Sequence, residues 1–390
     1  MKGALIQLVA FGAEDLPILS YPEITFFKKI YKRHTQFAME SMQNNFIDIP
    51  QFGGTSVITI RRYADLLSKM YLEVTLPYDE SLTESYWTNR IGYNLINRVE
   101  LYIGRKLIDR LYGVGMYMYS EFTHSTDMKG LLNKMVGTKY KDGYTNGLPC
   151  NKPHKLIIPL PFFFSRHTGL SIPLNAIRNN QDITLKFYFE KKLNCVQTGL
   201  APINDISHIS IWADYIYLEL EENRLFVQKP LEYLIEVTQH LSRSLITRGT
   251  KAIPLPFSLP CKQLYWAVYN INRTGDKFTD FTNGNNSMIK TVQFKFNTKN
   301  VFSTGARTND YFNYVQPYQT NGILPDLGIN CYSFSIYPNN LEPSGIINFK
   351  HLDTAVMNIN TDGNGFINIF AFSYNILKIR KGDVELVYNY

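Results

Sequence analysis

An all-β fold made of two antiparallel sandwiches in tandem is what this sequence predicts, and three observations carry the prediction. The length of 390 residues suits about two domains better than one core. Short runs rich in Val, Ile, Thr, Phe and Tyr recur along the chain, punctuated by 18 Pro and 24 Gly that are spread out rather than gathered into one linker. Strand–helix alternation of the parallel-sheet kind is missing. Each half holds roughly eight such runs, the strand number of a jelly roll.

The chain opens on an apolar arm, residues 1–22, which as a terminus is expected to be loosely docked. Pro22 is a natural helix opener. Beyond it Ile24, Phe27 and Ile30-Tyr31 fall at helical spacing, with Lys28, Lys29, Lys32 and Arg33 between them, so a short amphipathic helix is expected. After His34 the period changes to two, Phe37, Met39 and Ser41 alternating with Gln36, Ala38 and Glu40 as a strand would. Strands follow at Val57–Ile60, Met70–Leu76 and Val99–Ile103, the last turning at Gly104-Arg105 into Lys106–Ile108 as a hairpin. Met116–Phe122 and Lys129–Met135 suggest two short helices, and Lys139–Pro153 a polar surface loop. Leu156–Leu160 and Phe162–Phe164 read as strands buried on both sides. Ile183–Phe189 and Ile209–Leu220 complete a first sandwich over residues 23–222.

The charged seam Glu219–Arg224 and Pro230 place a linker at 223–232 and a second sandwich at 233–390. Its strands are expected at Tyr233–Val237, Gln263–Tyr269, Val292–Phe296, Cys331–Tyr337, Ile346–Phe349, Ala355–Ile359, Ile367–Phe372 and Val384–Val387. Asn270–Ser287 reads as a polar loop, Asp310–Tyr314 as one helical turn, and Asp362-Gly363-Asn364-Gly365 as a tight hairpin. Ile158-Pro159-Leu160-Pro161-Phe162 recurs as Ile253-Pro254-Leu255-Pro256-Phe257, but the flanks do not repeat, so the repeat is read as coincidence.

No catalytic constellation emerges, and no enzyme activity, cofactor or metal is expected. The seven histidines form no zincin pair, and Walker, dinucleotide and nucleophile-elbow motifs are absent. Glu219, Glu221 and Glu222 read as a solvated edge. Cys150, Cys195, Cys261 and Cys331 are widely separated and lack zinc spacing, which suggests free thiols in a reducing compartment. No run approaches the roughly 20 apolar residues of a membrane span. A net charge of +7 is modest, and only Lys28–Arg33 is clustered. That cluster is either a solvated face or a basic surface toward an anionic membrane. Asn272 and Asn285 begin glycosylation sequons in the predicted polar loop. A carbohydrate-binding module would need exposed aromatics, for which Trp87 and Tyr144 are the candidates; a cupin-like enzyme would need clustered His and Glu that this chain lacks.

The stretch Gly3–Ala13 followed by Tyr21–Ser41 resembles the amino terminus of the double jelly-roll major capsid proteins of large eukaryotic double-stranded DNA viruses, chlorella viruses and their relatives among them. Ile157–Phe164 with Thr168–Leu174, Trp212–Leu218, Glu232–Glu236, Tyr311–Gln319, Gly328–Phe334, Pro343-Ser344-Gly345 and Tyr374–Ile379 extend the likeness to the end of the chain in family order. The resemblance implies a structural virion protein with two jelly rolls, whose homotrimers form pseudo-hexagonal capsomers of an icosahedral capsid assembled in the host cytoplasm. It also implies neighbouring capsomers, minor capsid, cement and penton proteins and an internal viral membrane as partners, and no sequence-specific nucleic acid. On this reading Lys28, Lys29, Lys32 and Arg33 face the shell's interior, and the arm orders on neighbouring subunits. The same likeness admits a minor capsid paralogue or a membrane-shaping assembly scaffold.

Overall fold

A computed structural model describes residues 3–138, 147–271 and 276–388. The chain divides into a short unit, Met1–Gln36, and a body, Phe37–Tyr390.

The body is almost wholly antiparallel sheet. Its first eight principal strands are β1 (Phe37–Asn45), β2 (Thr55–Ile60), β3 (Leu66–Leu76), β4 (Ile96–Ile103), β5 (Lys106–Tyr112), β6 (His154–Pro159), β7 (Ile183–Phe189) and β8 (His208–Leu218). They form two facing sheets, ordered β1-β8-β3-β6 and β2-β7-β4-β5. Eight more follow: β9 (Leu231–Ile246), β10 (Gly249–Pro254), β11 (Pro260–Asn270), β12 (Ile289–Phe296), β13 (Lys299–Asn300), β14 (Ile329–Ser333), β15 (Ala355–Thr361) and β16 (Gly365–Arg380). Their sheets are ordered β9-β16-β11-β14 and β10-β15-β12-β13, and β17 (Asp383–Leu386) folds back on β16. Adding eight to each number of the first set gives the second. The fold is a double jelly roll, each sandwich made by pairing the first strand with the last and winding inward.

Alternation places the first core. In β2 every second side chain is buried, Ser56, Ile58 and Ile60, and in β7 Ile183, Leu185, Phe187 and Phe189 are buried in turn. The sheet β9-β16-β11-β14 behaves differently. β11 is buried without interruption from Pro260 to Tyr269. Leu264, Trp266 and Val268 point into the second sandwich, where Trp266 meets Phe294 and Phe312, while Tyr265, Ala267 and Tyr269 belong to a core continuous with the first. β16 repeats the division, with Ile367, Ile369 and Ala371 on one side and Phe370 and Phe372 on the other.

The layer between this sheet and the first sandwich is α1 (Gly113–Thr123), followed by α2 (Thr126–Val136). Phe122 stacks on Tyr265 with ring centroids 4.4 Å apart, Tyr119 on Phe372 at 5.7 Å, and Tyr117 on Phe281 at 6.0 Å. A helix can lie this deep only where its backbone comes close to its neighbours. At Gly113 a Cβ would overlap the carbonyl oxygens of Tyr93 and Ile96.

Several expectations are corrected. Residues 24–33 are not helical: one turn at Phe26-Phe27 interrupts extended chain, because so short a helix is marginal unless its apolar face is covered, and Phe26 and Phe27 are 89% and 98% exposed. Phe162–Phe164 is not a strand. Pro159 and Pro161 end the ladder, having no N–H to give it, and Phe163–Arg166 coils into a buried helical turn. The predicted loop at 139–153 is buried from Gly147 to Cys150, where the Cys150 N–H donates to the Ser85 carbonyl at 2.8 Å; residues 139–146 lie outside the described residues. Asn270–Ser287 is not wholly polar surface either, since Phe278 and Phe281 are buried beneath it. Asp362–Gly365 is no hairpin. It carries the chain from β15 in one sheet to β16 in the facing one. The segment between the two strand sets contains α3 (Leu220–Gln228). The hairpin at Gly104-Arg105 is as expected, Ile103 pairing with Lys106. Ile158-Pro159 closes β6 and Ile253-Pro254 closes β10, strands that do not correspond between the two sandwiches, so the IPLPF repeat is no trace of duplication.

Gly113→Ala should cost several kcal/mol, as expected when a backbone-packed position is overfilled. Gly130→Ala, on the exposed side of α2 with nothing within 4 Å of where a Cβ would sit, should instead stabilise by roughly 0.5–1 kcal/mol. Urea unfolding of both variants checks this, and equal effects would contradict the buried-helix account.

Candidate assembly surfaces and the buried seam

Charged clusters join the two sandwiches at the junction. Arg166, from the helical turn after β6, donates to Glu236 on β9 at 2.5 Å; Glu236 also binds Lys262 on β11, whose ammonium reaches the Pro338 carbonyl at 2.7 Å. Burial alone would raise the Glu236 carboxyl, but Lys262 and Arg166 outweigh it and hold it below the usual carboxylate value. In a second cluster Glu121 of α1 takes Arg90 and Lys129, each at 2.7 Å, and accepts the Asp326 N–H at 3.1 Å. The Tyr117 hydroxyl donates to Asp326 at 2.6 Å. Further along, the Asn89 N–H meets Asp276 at 2.7 Å and the Lys277 ammonium the Val196 carbonyl at 2.6 Å.

Asp109 of β5 is fully buried and accepts the backbone N–H of Thr238 on β9 at 3.0 Å. Burial pushes its carboxyl up to about 7, against the pull of Arg166 and two backbone donors. His240 lies between Tyr112 and Phe370, each 4.4 Å away, and burial pushes its imidazole down to about 4, so it is neutral at physiological pH. Beside the Arg166–Glu236–Lys262 cluster a cleft of about 680 Å³ opens between the sandwiches, with Tyr71, His124, Arg166, Lys262 and Leu341 on its walls.

Two surfaces outside the seam are apolar and uncovered in the single chain. In the helical turns Tyr311–Val315 and Gln316–Thr320, Phe312, Asn313, Gln316 and Pro317 face inward, while Tyr314, Val315 and Tyr318 face solvent, Tyr318 at 85% exposure. In the amino-terminal unit Leu5, Ile6, Leu8, Val9, Phe11, Ile18 and Tyr21 are exposed, and no buried residue is found in its short helices Gly3–Leu8, Ala13–Asp15 and Leu16–Leu19.

The structure sorts the sequence candidates. Lys28, Lys29, Lys32 and Arg33 are all exposed along extended chain. Asn285 is exposed at the tip of a small hairpin in which Asn283 pairs with Asn286; Asn272 and Tyr144 lie outside the described residues. Trp87 is fully buried against Phe52, so it offers no platform for a glycan. All four cysteines are free and buried. Among the described residues no cluster could hold a metal ion, and no helix is long and apolar enough to cross a membrane. Sequence reasoning missed the seam altogether. Arg90, Glu121, Arg166, Glu236 and Lys262 stand far apart in the chain and share no motif.

Residues 25–219 match the family described as major capsid protein N-terminus, and residues 222–384 the family described as large eukaryotic DNA virus major capsid protein. The chain is 32% identical to the major capsid protein of Pyramimonas orientalis virus over the full length of both. It is 30% identical to probable capsid protein 4 of Acanthamoeba polyphaga mimivirus, over 97% of this chain and 98% of that one. Among solved structures it is similar to PBCV-1 VP54, with TM-score 0.82 and 26% identity over 94% of this chain and all of that one. The Faustovirus major capsid protein shares the fold, with TM-score 0.75 and 13% identity over 97% and 96% of the two chains.

The seam has a pH signature. A carboxyl whose folded pKa lies above its unfolded value makes the protein less stable as pH rises between the two, here from about 4 to about 7. Asp109→Asn keeps the oxygen that accepts the Thr238 and Arg110 N–H groups and removes the charge. The variant should therefore gain on the wild type between pH 5 and pH 8, by at most about 3 kcal/mol at roughly 1.4 kcal/mol for each pH unit crossed below 7. Thermal melts across that range test it, and a difference independent of pH would rule out Asp109 as the source.

Proposed function

The chain belongs to the major capsid proteins of large eukaryotic DNA viruses, and from that premise we propose that it builds the shell itself: three copies close into a trimer whose six sandwiches imitate a hexagon and tile an icosahedral capsid. The observation that carries this reading is the matching strand order of the two sandwiches. A threefold assembly of two-sandwich chains has six similar corners, so it can meet six neighbours in a flat facet, which a trimer of single sandwiches cannot do.

The surfaces fit the role. Stable subunit interfaces need large, partly apolar patches, and the Tyr314–Tyr318 surface is one that the monomer leaves uncovered. A protein present in many copies must also suppress stray strand pairing. The backbone N–H of Thr238, on the edge strand β9, is occupied by Asp109. Residues 1–22 serve as the arm that orders on neighbouring subunits, with the two jelly rolls at 23–222 and 233–390 joined through 223–232. Lys28, Lys29, Lys32 and Arg33 make inner-face contacts. Minor capsid, cement and penton proteins complete the shell around the trimers. Four buried free thiols suit assembly in a reducing compartment such as the host cytoplasm. The role is structural and has no active site.

Purified protein should scatter light as a homotrimer, three times 45.1 kDa. A stable monomer at micromolar concentration would overturn the capsomer reading. Deleting residues 1–20 should leave the trimer intact and weaken lattice formation, as electron microscopy of the assemblies would show; loss of the trimer would place the arm in the subunit core instead.

A further inference from the structure

Residues 24–33 are extended in the structure, yet their sequence divides cleanly in two. At 100° per residue Ile24, Phe26, Phe27, Ile30 and Tyr31 occupy one arc of about 160°, and Lys28, Lys29, Lys32 and Arg33 the complementary arc, with no residue of one kind inside the other's sector. Every one of these side chains is exposed. No Asp or Glu occurs between Glu23 and Glu40, so the basic arc has no acidic partner within its own segment. The two surfaces call for one occupant that is apolar beneath and anionic above.

We infer that this segment docks on an anionic phospholipid surface, folding there into a short helix that lies in the plane of the headgroups. Its aromatic and isoleucine side chains enter the acyl boundary, and its four cations meet lipid phosphates and carboxylates. The absence of a helix in the free chain follows from the same physics. A ten-residue helix is marginal in water, and becomes favourable only where its apolar face is buried. A helix this short binds weakly as one copy. Carried on a trimer, and then on a lattice, it would bind through many copies at once, so affinity would rise steeply with assembly. An adjoining protein groove could cover the apolar arc, but it would have to bring its own acids, whereas a bilayer supplies both halves.

The inference rests on reading Lys28, Lys29, Lys32 and Arg33 as inner-face contacts, and its test is independent of shell formation. Full-length protein is floated with vesicles of phosphatidylcholine alone and with vesicles of equal parts phosphatidylcholine and phosphatidylserine, while its oligomeric state is followed by light scattering. Binding to the anionic vesicles should exceed binding to the neutral ones by at least about tenfold, with a gain of helical signal by circular dichroism. At roughly fivefold per cation, the quadruple change Lys28→Gln, Lys29→Gln, Lys32→Gln, Arg33→Gln should lower binding by nearly three orders of magnitude. Phe26→Ser with Phe27→Ser should lower it at least about tenfold with all charges kept. No binding to anionic vesicles overturns the proposal. So does binding that ignores the phenylalanines, or a preference for a DNA duplex over vesicles, since either marks a plain polyanion site. A trimer that ignores vesicles sinks this inference alone, and a monomer that binds them sinks only the capsomer reading.

Discussion

One sheet with two buried faces organises the molecule. β9-β16-β11-β14 packs with one side against its partner sheet in the second sandwich and with the other against α1 and the first sandwich. A sheet in the middle of three layers has no solvent face to spend on polar residues. Hence β11 is buried from Pro260 to Tyr269 without a break, and Trp266 and Tyr265, adjacent in sequence, lie in different cores. The two jelly rolls are consequently coupled. Loosening either face of that sheet uncovers apolar surface belonging to both.

This coupling explains which parts of the fold were legible in the sequence. β2, β4 and β7 have one face in a core, so their period of two and their hairpin and turn residues could be read directly. β11 and β16 gave continuous apolar runs, which mark burial but not what covers them. The failures have local causes. Asp362-Gly363-Asn364-Gly365 has hairpin chemistry, but the winding of a jelly roll uses such a turn to change sheets. Phe162–Phe164 has strand composition, and flanking prolines overrule it. Trp87 could not be placed inside or outside from its neighbours, because what buries it, Phe52 among others, comes from elsewhere in the chain. The seam ion pairs were invisible for the same reason, their members being brought together by the tertiary fold.

The amino-terminal segment is a different kind of mismatch. The period of residues 24–33 is real, and the free chain still does not express it. In the body, periodicity and structure agree because each apolar stripe finds its cover in the same polypeptide. Where they part company, the apolar stripe stands exposed, as Ile24, Phe26, Phe27, Ile30 and Tyr31 do. Local propensity in this stretch is therefore better evidence about a bound state than about the isolated subunit.

The charges of the seam complete the argument about geometry. Ion pairs as buried as Arg166–Glu236–Lys262 and Arg90–Glu121 gain little net stability, since removing each charge from water costs about what its partner returns. Apolar packing of the same area would hold two sandwiches together as well, but it is indifferent to small rotations and slips. Hydrogen bonds with fixed donors and acceptors are not, and here they tie the turn after β6 to β9 and β11 through Arg166, Glu236 and Lys262, and α1 to the segment before β14 through Glu121 and Asp326. A chain whose two halves must stand at one fixed angle to imitate neighbouring corners of a hexagon needs that direction more than it needs further stability. The polar groups are concentrated where the angle is set, and the aromatic stacking around α1 supplies the cohesion.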